Sequence, residues 1–272
     1  MSGDGEGVVA LTHGSALIAH SARTDVGRVR SVNEDSFLAE APVYLVADGM
    51  GGHARGDAAS QAVIETFSRH LQLGVPSSPE QVLDAIHTSN EAVRALSEEG
   101  EEGTAVAGTT LSGIALVDAG DGAGFHWMIF NIGDSRVYSW DGRTLEQLSI
   151  DHSAVQELVD AGLIKPEDAE RHPDRNVITR ALGADEFVDP DVWLIPVSGR
   201  QVFLVCSDGL SKEVDDRSIA HILAGDTGHA AGLAGELVDA ALAHGGRDNV
   251  TAIVVESVLG SETTTRRPDR SS

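Results

Sequence analysis

A single cysteine, Cys206, occurs in the whole chain. A disulfide within the chain is therefore excluded, and a reducing compartment is expected. Long apolar runs are missing too: none approaches the roughly eighteen residues that a membrane-spanning helix needs. The N-terminus, MSGDGEGVVALTHGSALIAH, has neither a basic start nor a long apolar segment. No signal peptide is expected, and the expected location is cytoplasmic. Lysine is nearly absent, with Lys165 and Lys212 its only occurrences. Lys and Arg together number 19 against 43 Asp and Glu, a formal net charge of −24. That balance argues against a nucleic-acid ligand, because polyanions are held by clustered cations. It suits a protein that holds divalent cations, yet a few ligands would not account for all of it. Salt adaptation and a GC-rich coding bias would both produce the surplus, and neither bears on fold.

What is present points to one sizeable core: 272 residues, 41% of them hydrophobic. No linker-like stretch or tandem repeat interrupts the chain. One domain is expected over residues 15–260, after a loose Gly-rich start (1–14) and before a disordered tail (261–272). Runs rich in Val, Ile, Leu and aromatics predict strands at Leu17 to Thr24, Val43 to Ala47, Thr109 to Val117 and Phe125 to Ile132. Others are predicted at Arg136 to Trp140, Val192 to Pro196, Val202 to Ser207 and Val250 to Ser257. Short turns such as Asp141-Gly142 favour antiparallel pairing. Helical spacing appears at Val63, Phe67 and Leu71. It returns from Val82 to Leu96, where Ser78, Pro79 and Gln81 form a capping-box signature. A third face, Leu233, Leu237, Val238 and Ala241, ends at Gly245 and Gly246. Helices flanking a cluster of strands fit two antiparallel sheets packed face to face, an α+β fold.

The acids fall where these runs stop. VYLVADGMGGH ends a greasy run on Asp48, and VFLVCSDGL ends another on Asp208. Asp248 precedes the last run, Asp134 lies between two strand candidates, and Glu34 and Asp35 sit in SVNEDSF. Taken singly, each is ordinary turn chemistry. Two buried-looking strands ending in the same Asp-Gly is a pattern. If these ends share a rim, the carboxylates repel and raise one another's pKa unless a cation neutralises them. All-oxygen ligands suit Mg²⁺ or Mn²⁺. A bridging Asp can hold two such ions about 4 Å apart, which activates water for in-line attack at phosphorus.

The segments RSVNED, ADGMGGH, GTTLSG, NIGDSRVY, DHS, HPDRNVITRALG, CSDGL and GGRDNVT follow in that order. Together they closely resemble the metal-dependent protein serine/threonine phosphatases of the PP2C (PPM) family, in their bacterial form, over about Leu17 to Val258. The resemblance implies a central β-sandwich of two antiparallel sheets flanked by helices on both sides. It implies that Asp48 bridges two Mn²⁺ or Mg²⁺ ions, with Asp208 and Asp248 completing the first. The Gly49 carbonyl would join the second, which Glu34 and Asp35 reach directly or through water. Asp134, with Asp208, matches the position of a third, more weakly held ion. Arg30 would grip the substrate phosphate, for which a guanidinium offers a bidentate fork. Pairing of Arg30 with a surface acid is the plainer alternative. The implied reaction is direct hydrolysis by a metal-activated water, with no phosphoenzyme.

A departure lies in the opening motif. Met50 stands where many eukaryotic members have the His proposed as general acid, and His53 follows three residues later. A metal-bound water or His53 could protonate the leaving oxygen; a turn role for His53 is an equal alternative. His152 and His172 read as structural histidines, Cys206 as an inert core thiol, and Thr109 and Thr110 as packing residues. Asp151 to Arg180 is expected to form a flap beside the metals. The expected partners are phosphorylated proteins, serine/threonine kinases among them, with no nucleic acid and no membrane. A phosphoprotein-binding pseudophosphatase is the competing reading, and the retained Asp48, Asp208 and Asp248 weigh against it. A small-molecule phosphoesterase is another, and a phosphatase for an anti-sigma regulator is a narrower variant of the main one.

Overall fold

The computed structural model describes residues 2–12, 14–51, 55–98, 107–120, 124–169, 171–225 and 230–260. In chain order the elements are β1 (Ser2–Leu11), β2 (Gly14–Asp25), β3 (Asp35–Glu40), β4 (Val43–Met50), α1 (Gly56–His70), α2 (Pro79–Glu98) and β5 (Gly108–Thr109). Then come β6 (Leu111–Asp118), β7 (Phe125–Ile132), β8 (Arg136–Trp140), β9 (Leu145–Gln147), α3 (Ala154–Asp160) and α4 (Pro166–Ala169). The chain continues through β10 (Asp191–Pro196), β11 (Arg200–Cys206), α5 (Asp208–Ser211), α6 (Asp216–Leu223), α7 (Leu233–His244) and β12 (Val250–Gly260). One sheet has the order β1-β2-β12-β11-β8-β9, and the other β10-β7-β6-β4-β3, with β5 beside the end of β4. The described ladders between named strands are antiparallel.

Side-chain alternation explains the greasy runs. Along β4, Val43, Leu45 and Ala47 pack with Val63 and Phe67 of α1 and Val82 and Ile86 of α2. Tyr44 and Val46 point the other way, into a core shared with Phe203, Val205, Ile253 and Val255 of the opposite sheet. In β11 the same split puts Val202, Leu204 and Cys206 against α6 and α7, and Phe203 and Val205 between the sheets. Both faces of these strands are covered, so their sequence is continuously apolar rather than alternating. The result is four layers, helix–sheet–sheet–helix, with the α+β architecture predicted from the sequence.

The helix starts follow the sequence. Ser78 Oγ accepts from Gln81 N at 3.3 Å, while Ser78 N donates to Gln81 Oε1 at 2.8 Å. This reciprocal pair is the capping box. Gly245 and Gly246, both at positive φ, end α7. Asp141 Oδ1 accepts from Arg143 N and Thr144 N, which closes the β8–β9 hairpin.

Within the N-terminal segment expected to be loose, Ser2–Leu11 departs from expectation: it forms β1, registered against β2 along its whole length, with Val9 fully buried between the sheets. Backbone pairing with a long neighbour holds a strand whose own composition is poor for one. Strands β3 and β9 and helices α3 to α6 are likewise short or polar elements placed by their neighbours. The tail from Ser261 lies outside the described residues. Among the described residues no helix is long and apolar enough to cross a membrane.

Candidate active site

The alternation that buries Tyr44 and Val46 between the sheets makes Asp48 the next inward-facing position, where β4 reaches the rim. Asp35 lies directly opposite it in the β3–β4 ladder. Like charges directly opposed are unfavourable, so this pair needs a compensating group. Across the sandwich, Ser207 and Thr251 continue the inward-facing positions of β11 and β12. Each donates its hydroxyl to Asp35 Oδ2, at 2.8 and 2.7 Å. Asp35 Oδ1 is buried without a hydrogen-bond partner.

The remaining acids arrive by turns. Asp134 occupies the β7–β8 turn and Asp208 opens α5. Asp248 precedes β12, where its Oδ1 caps the Asn249 amide at 2.9 Å. Burial lifts Asp35 to about 7; its hydroxyl donors oppose the shift, and Asp208 and Asp248 add to it. Asp134 rises to about 6 through burial and Asp208, with Lys212 pulling the other way. Asp48 is held well above the ordinary carboxyl range by burial and then by Asp35, Asp208, Asp134 and Asp248. Asp35, Asp48 and Asp134 are thus raised by burial and by neighbouring carboxylates at the same rim.

Backbone contacts fix the two Asp-Gly corners. A Cβ on Gly49 would collide with the carbonyl oxygen of Gly56 and stand 2.7 Å from that of Glu34. A Cβ on Gly209 would likewise strike the carbonyl of Asn249. Both glycines allow backbone segments to cross where a side chain would separate them. Gly49 N donates to the Glu34 carbonyl at 3.1 Å, which brings Glu34 beside the corner. Thr110 holds Asp48 from behind: its Oγ1 accepts from Asp48 N at 3.0 Å, and its amide donates to Asp48 O at 2.9 Å. Thr109 Oγ1 donates to the same carbonyl at 3.0 Å. Both threonines, expected from sequence as packing residues, thus also brace Asp48 by hydrogen bonds.

Arg30 projects from the loop between β2 and β3. Its Nη2 donates to Asp248 Oδ2 at 2.8 Å, and half of its side chain is exposed. Asn249 anchors that loop, with Nδ2 donating to the Val26 and Val32 carbonyls and Oδ1 accepting from Glu34 N. The Asp134 turn is pinned as well. Asn131 Nδ2 donates to Gly133 O at 3.1 Å, and His152 Nδ1 accepts from Gly133 N at 3.0 Å. His152 Nε2 lies 3.3 Å from Asp191 Oδ2, so this histidine is a structural tie. His172 Nδ1 accepts from Asp174 N at 3.2 Å. Cys206 is fully buried and burial pushes its thiol up to about 12, so it stays protonated and inert. His53 lies outside the described residues.

One member of the site was missed from sequence. Lys212 places its ammonium on Asp208 Oδ2 and 3.4 Å from Asp134 Oδ2. Burial works against this charge, but Asp208 and Asp134 outweigh it and hold the ammonium above the usual lysine range. Its signal was available: a rare lysine four residues after Asp208.

The donor set is carboxylate and carbonyl oxygen, which fits a hard divalent cation. The unpartnered buried oxygens of Asp35 and Asp134 and the mutual repulsion fit it further. Among the described residues no three acidic, His or Cys side chains already stand at the spacing of a closed coordination sphere. Asp35, Asp134, Asp208 and Asp248 instead take donors from the protein.

Comparison with known proteins adds to this geometry. A family model described as protein phosphatase 2C matches residues 27–231. The serine/threonine protein phosphatase PstP of Mycobacterium tuberculosis is 40% identical over 243 residues, covering 89% of this chain and 45% of that protein. This chain therefore spans less than half the length of that relative. The serine/threonine phosphatase stp of Listeria welshimeri is 34% identical over 247 residues, 87% of this chain and 95% of that one. The crystal structure of the PstP catalytic domain in complex with two manganese ions is similar with a TM-score of 0.76 and 37% identity, over 89% of this chain and 99% of that one.

Proposed function

This chain belongs to the protein phosphatase 2C family, and from that premise we propose that it hydrolyses phosphoserine and phosphothreonine in proteins, dependent on Mn²⁺ or Mg²⁺. The observation that carries the reading is the gathering of acids at one sandwich rim: Asp35 faces Asp48 in the β3–β4 ladder, and burial with neighbouring carboxylates raises Asp35, Asp48 and Asp134. Asp48, Asp208 and Asp248 would hold one ion. Asp48, the Gly49 carbonyl, Glu34 and Asp35 would hold the other. When bound, such ions make water a competent nucleophile near neutral pH and neutralise charge on phosphoryl oxygens.

The protein's own groups do the rest. Arg30 turns from Asp248 to the substrate phosphate, and its half-exposed position leaves it free to do so. The hydrogen bonds from Thr109 and Thr110 hold Asp48 and the Gly49 corner still, so orientation is set before substrate arrives. Two potential side-chain nucleophiles near the rim are otherwise committed. Ser207 Oγ donates to Asp35 and accepts from Thr251 N at 2.9 Å, and the Cys206 thiol is protonated and enclosed. Direct attack by water, without a phosphoenzyme, is consistent with that commitment. His53 is the candidate acid for the leaving oxygen.

The proposal extends to a cytoplasmic setting, for which a lone buried thiol is suited, and to phosphorylated proteins, kinases among them, as substrates. The test is phosphate release from a phosphothreonine peptide with and without Mn²⁺. Release should require the ion, and Asp48→Ala and Asp208→Ala should each lower kcat by about 100-fold or more, the scale of losing a charge-stabilising group. Near-normal turnover in both folded variants would defeat the proposal.

A further inference from the structure

Asp134 and Asp208 come from distant parts of the chain and share one cation supplied by the protein. Lys212 follows α5 directly, so the Asp208-to-Lys212 interval brings its stem back over the first residue of that helix. Its Nζ bonds Asp208 Oδ2 and reaches Asp134 Oδ2 at 3.4 Å. The two carboxylates are nearly enclosed, at 13% and 6% side-chain exposure, while Lys212 retains 38% and so has a path to solvent. This cation stands in a chain that has almost no lysine, among acids for which the family resemblance implies a third metal ion.

We propose that Lys212 is a tethered cation that occupies the Asp134–Asp208 pair in place of a third divalent ion, so that the site takes two ions instead of three. The inference rests on the functional reading given above. Its physical basis is competition for the same oxygens. A small divalent cation needs carboxylate oxygens at about 2.0–2.2 Å with near-octahedral surroundings. An ammonium already bonded to those Oδ2 atoms fills that space and repels a second positive charge. A lysine has three donors on a flexible stem and can serve both carboxylates together. Because it is tethered, it is present at any metal concentration. A divalent ion enters there only when Lys212 swings out.

The experiment is Mn²⁺ binding to the full chain by equilibrium dialysis and by the loss of the free-ion electron paramagnetic resonance signal. The wild type should bind two ions per chain. Lys212→Ala should gain a third, at least about tenfold tighter than any third ion in the wild type, and Lys212→Arg should not. Adding Asp134→Asn to Lys212→Ala should remove the gained ion. Lys212→Gln serves as the neutral variant if Lys212→Ala does not fold. Three ions in the wild type, or equal binding in the wild type and both neutral variants, would overturn the inference and leave the functional reading intact. No Mn²⁺ binding by the wild type would overturn the functional reading itself.

Discussion

Asp35 is a carboxyl placed where ionisation is costly. It is buried, it opposes Asp48 across the β3–β4 ladder, and only one of its oxygens has hydrogen-bond donors. In the unfolded chain it ionises near 3.8, whereas in the fold burial raises it to about 7. Between those values the folded state keeps a proton that the unfolded chain has lost. The contribution to stability is therefore complete below about 3.8 and is lost as pH rises through about 7. Chelator-treated wild type should lose stability from pH 5 to pH 8 more steeply than chelator-treated Asp35→Asn, as read from urea midpoints. The asparagine carbonyl can still accept from Ser207 and Thr251, so the fold is retained. His20 and His152, both held below their usual range by burial, titrate in both proteins and cancel in the comparison. Parallel pH curves for the two proteins would refute the assignment. If Asp35 takes a metal ion as proposed, that proton must leave, so Mn²⁺ affinity should fall with acidity over the same range.

The Asp-Gly corners show why some elements could be read from sequence and others could not. β4 and β11 are covered on both faces, so burial writes an unbroken apolar run that stops where the strand meets the rim. Asp48 and Asp208 were legible for that reason. β1 carries no such mark: most of its residues are exposed, and pairing with β2 holds it. Helix α5 is a single turn forced by the crossing of Gly209 under Asn249, too short to have a period of its own. Lys212 was only half legible: its spacing from Asp208 is local, but its second partner, Asp134, is distant in sequence. The Gly49 corner was legible as a glycine, but sequence could not say what it must approach. Its neighbours are the Gly56 carbonyl at the start of α1 and the Glu34 carbonyl before β3. Gly49→Ala should therefore displace α1 or β3 at the site and cost about 2 kcal/mol, in the range for overpacking. Urea unfolding gives the stability, and Mn²⁺ titration should show weakened binding in the folded variant. An unchanged midpoint with unchanged Mn²⁺ affinity would contradict the crossing. Gly142, on an open turn where an added Cβ has nothing within 4 Å, provides the comparison: Gly142→Ala should leave Mn²⁺ affinity unchanged despite the strain of its positive φ.

The charge of −24 acts over the entire surface and needs no contact to be felt. Site carboxylates explain only a small part of it, and bound cations would offset only that part. A phosphopeptide approaching this molecule is itself negative, so the long-range field opposes encounter except where the peptide carries its own cations. Substrates with Arg or Lys beside the phosphorylated residue should therefore be favoured over those with Asp or Glu. The preference belongs to association, so it should appear in kcat/KM and leave kcat nearly unchanged. A roughly tenfold difference in kcat/KM is expected at low ionic strength, within the range that electrostatic steering commands. Raising salt from about 0.05 M to about 1 M shortens the screening length to roughly 3 Å and should erase most of the difference. A preference that survives high salt would instead mark a close contact between the flanking cation and an acid at the rim, where screening is weak. Equal kcat/KM for the two peptides at low salt would mean that the site is shielded from the surface field.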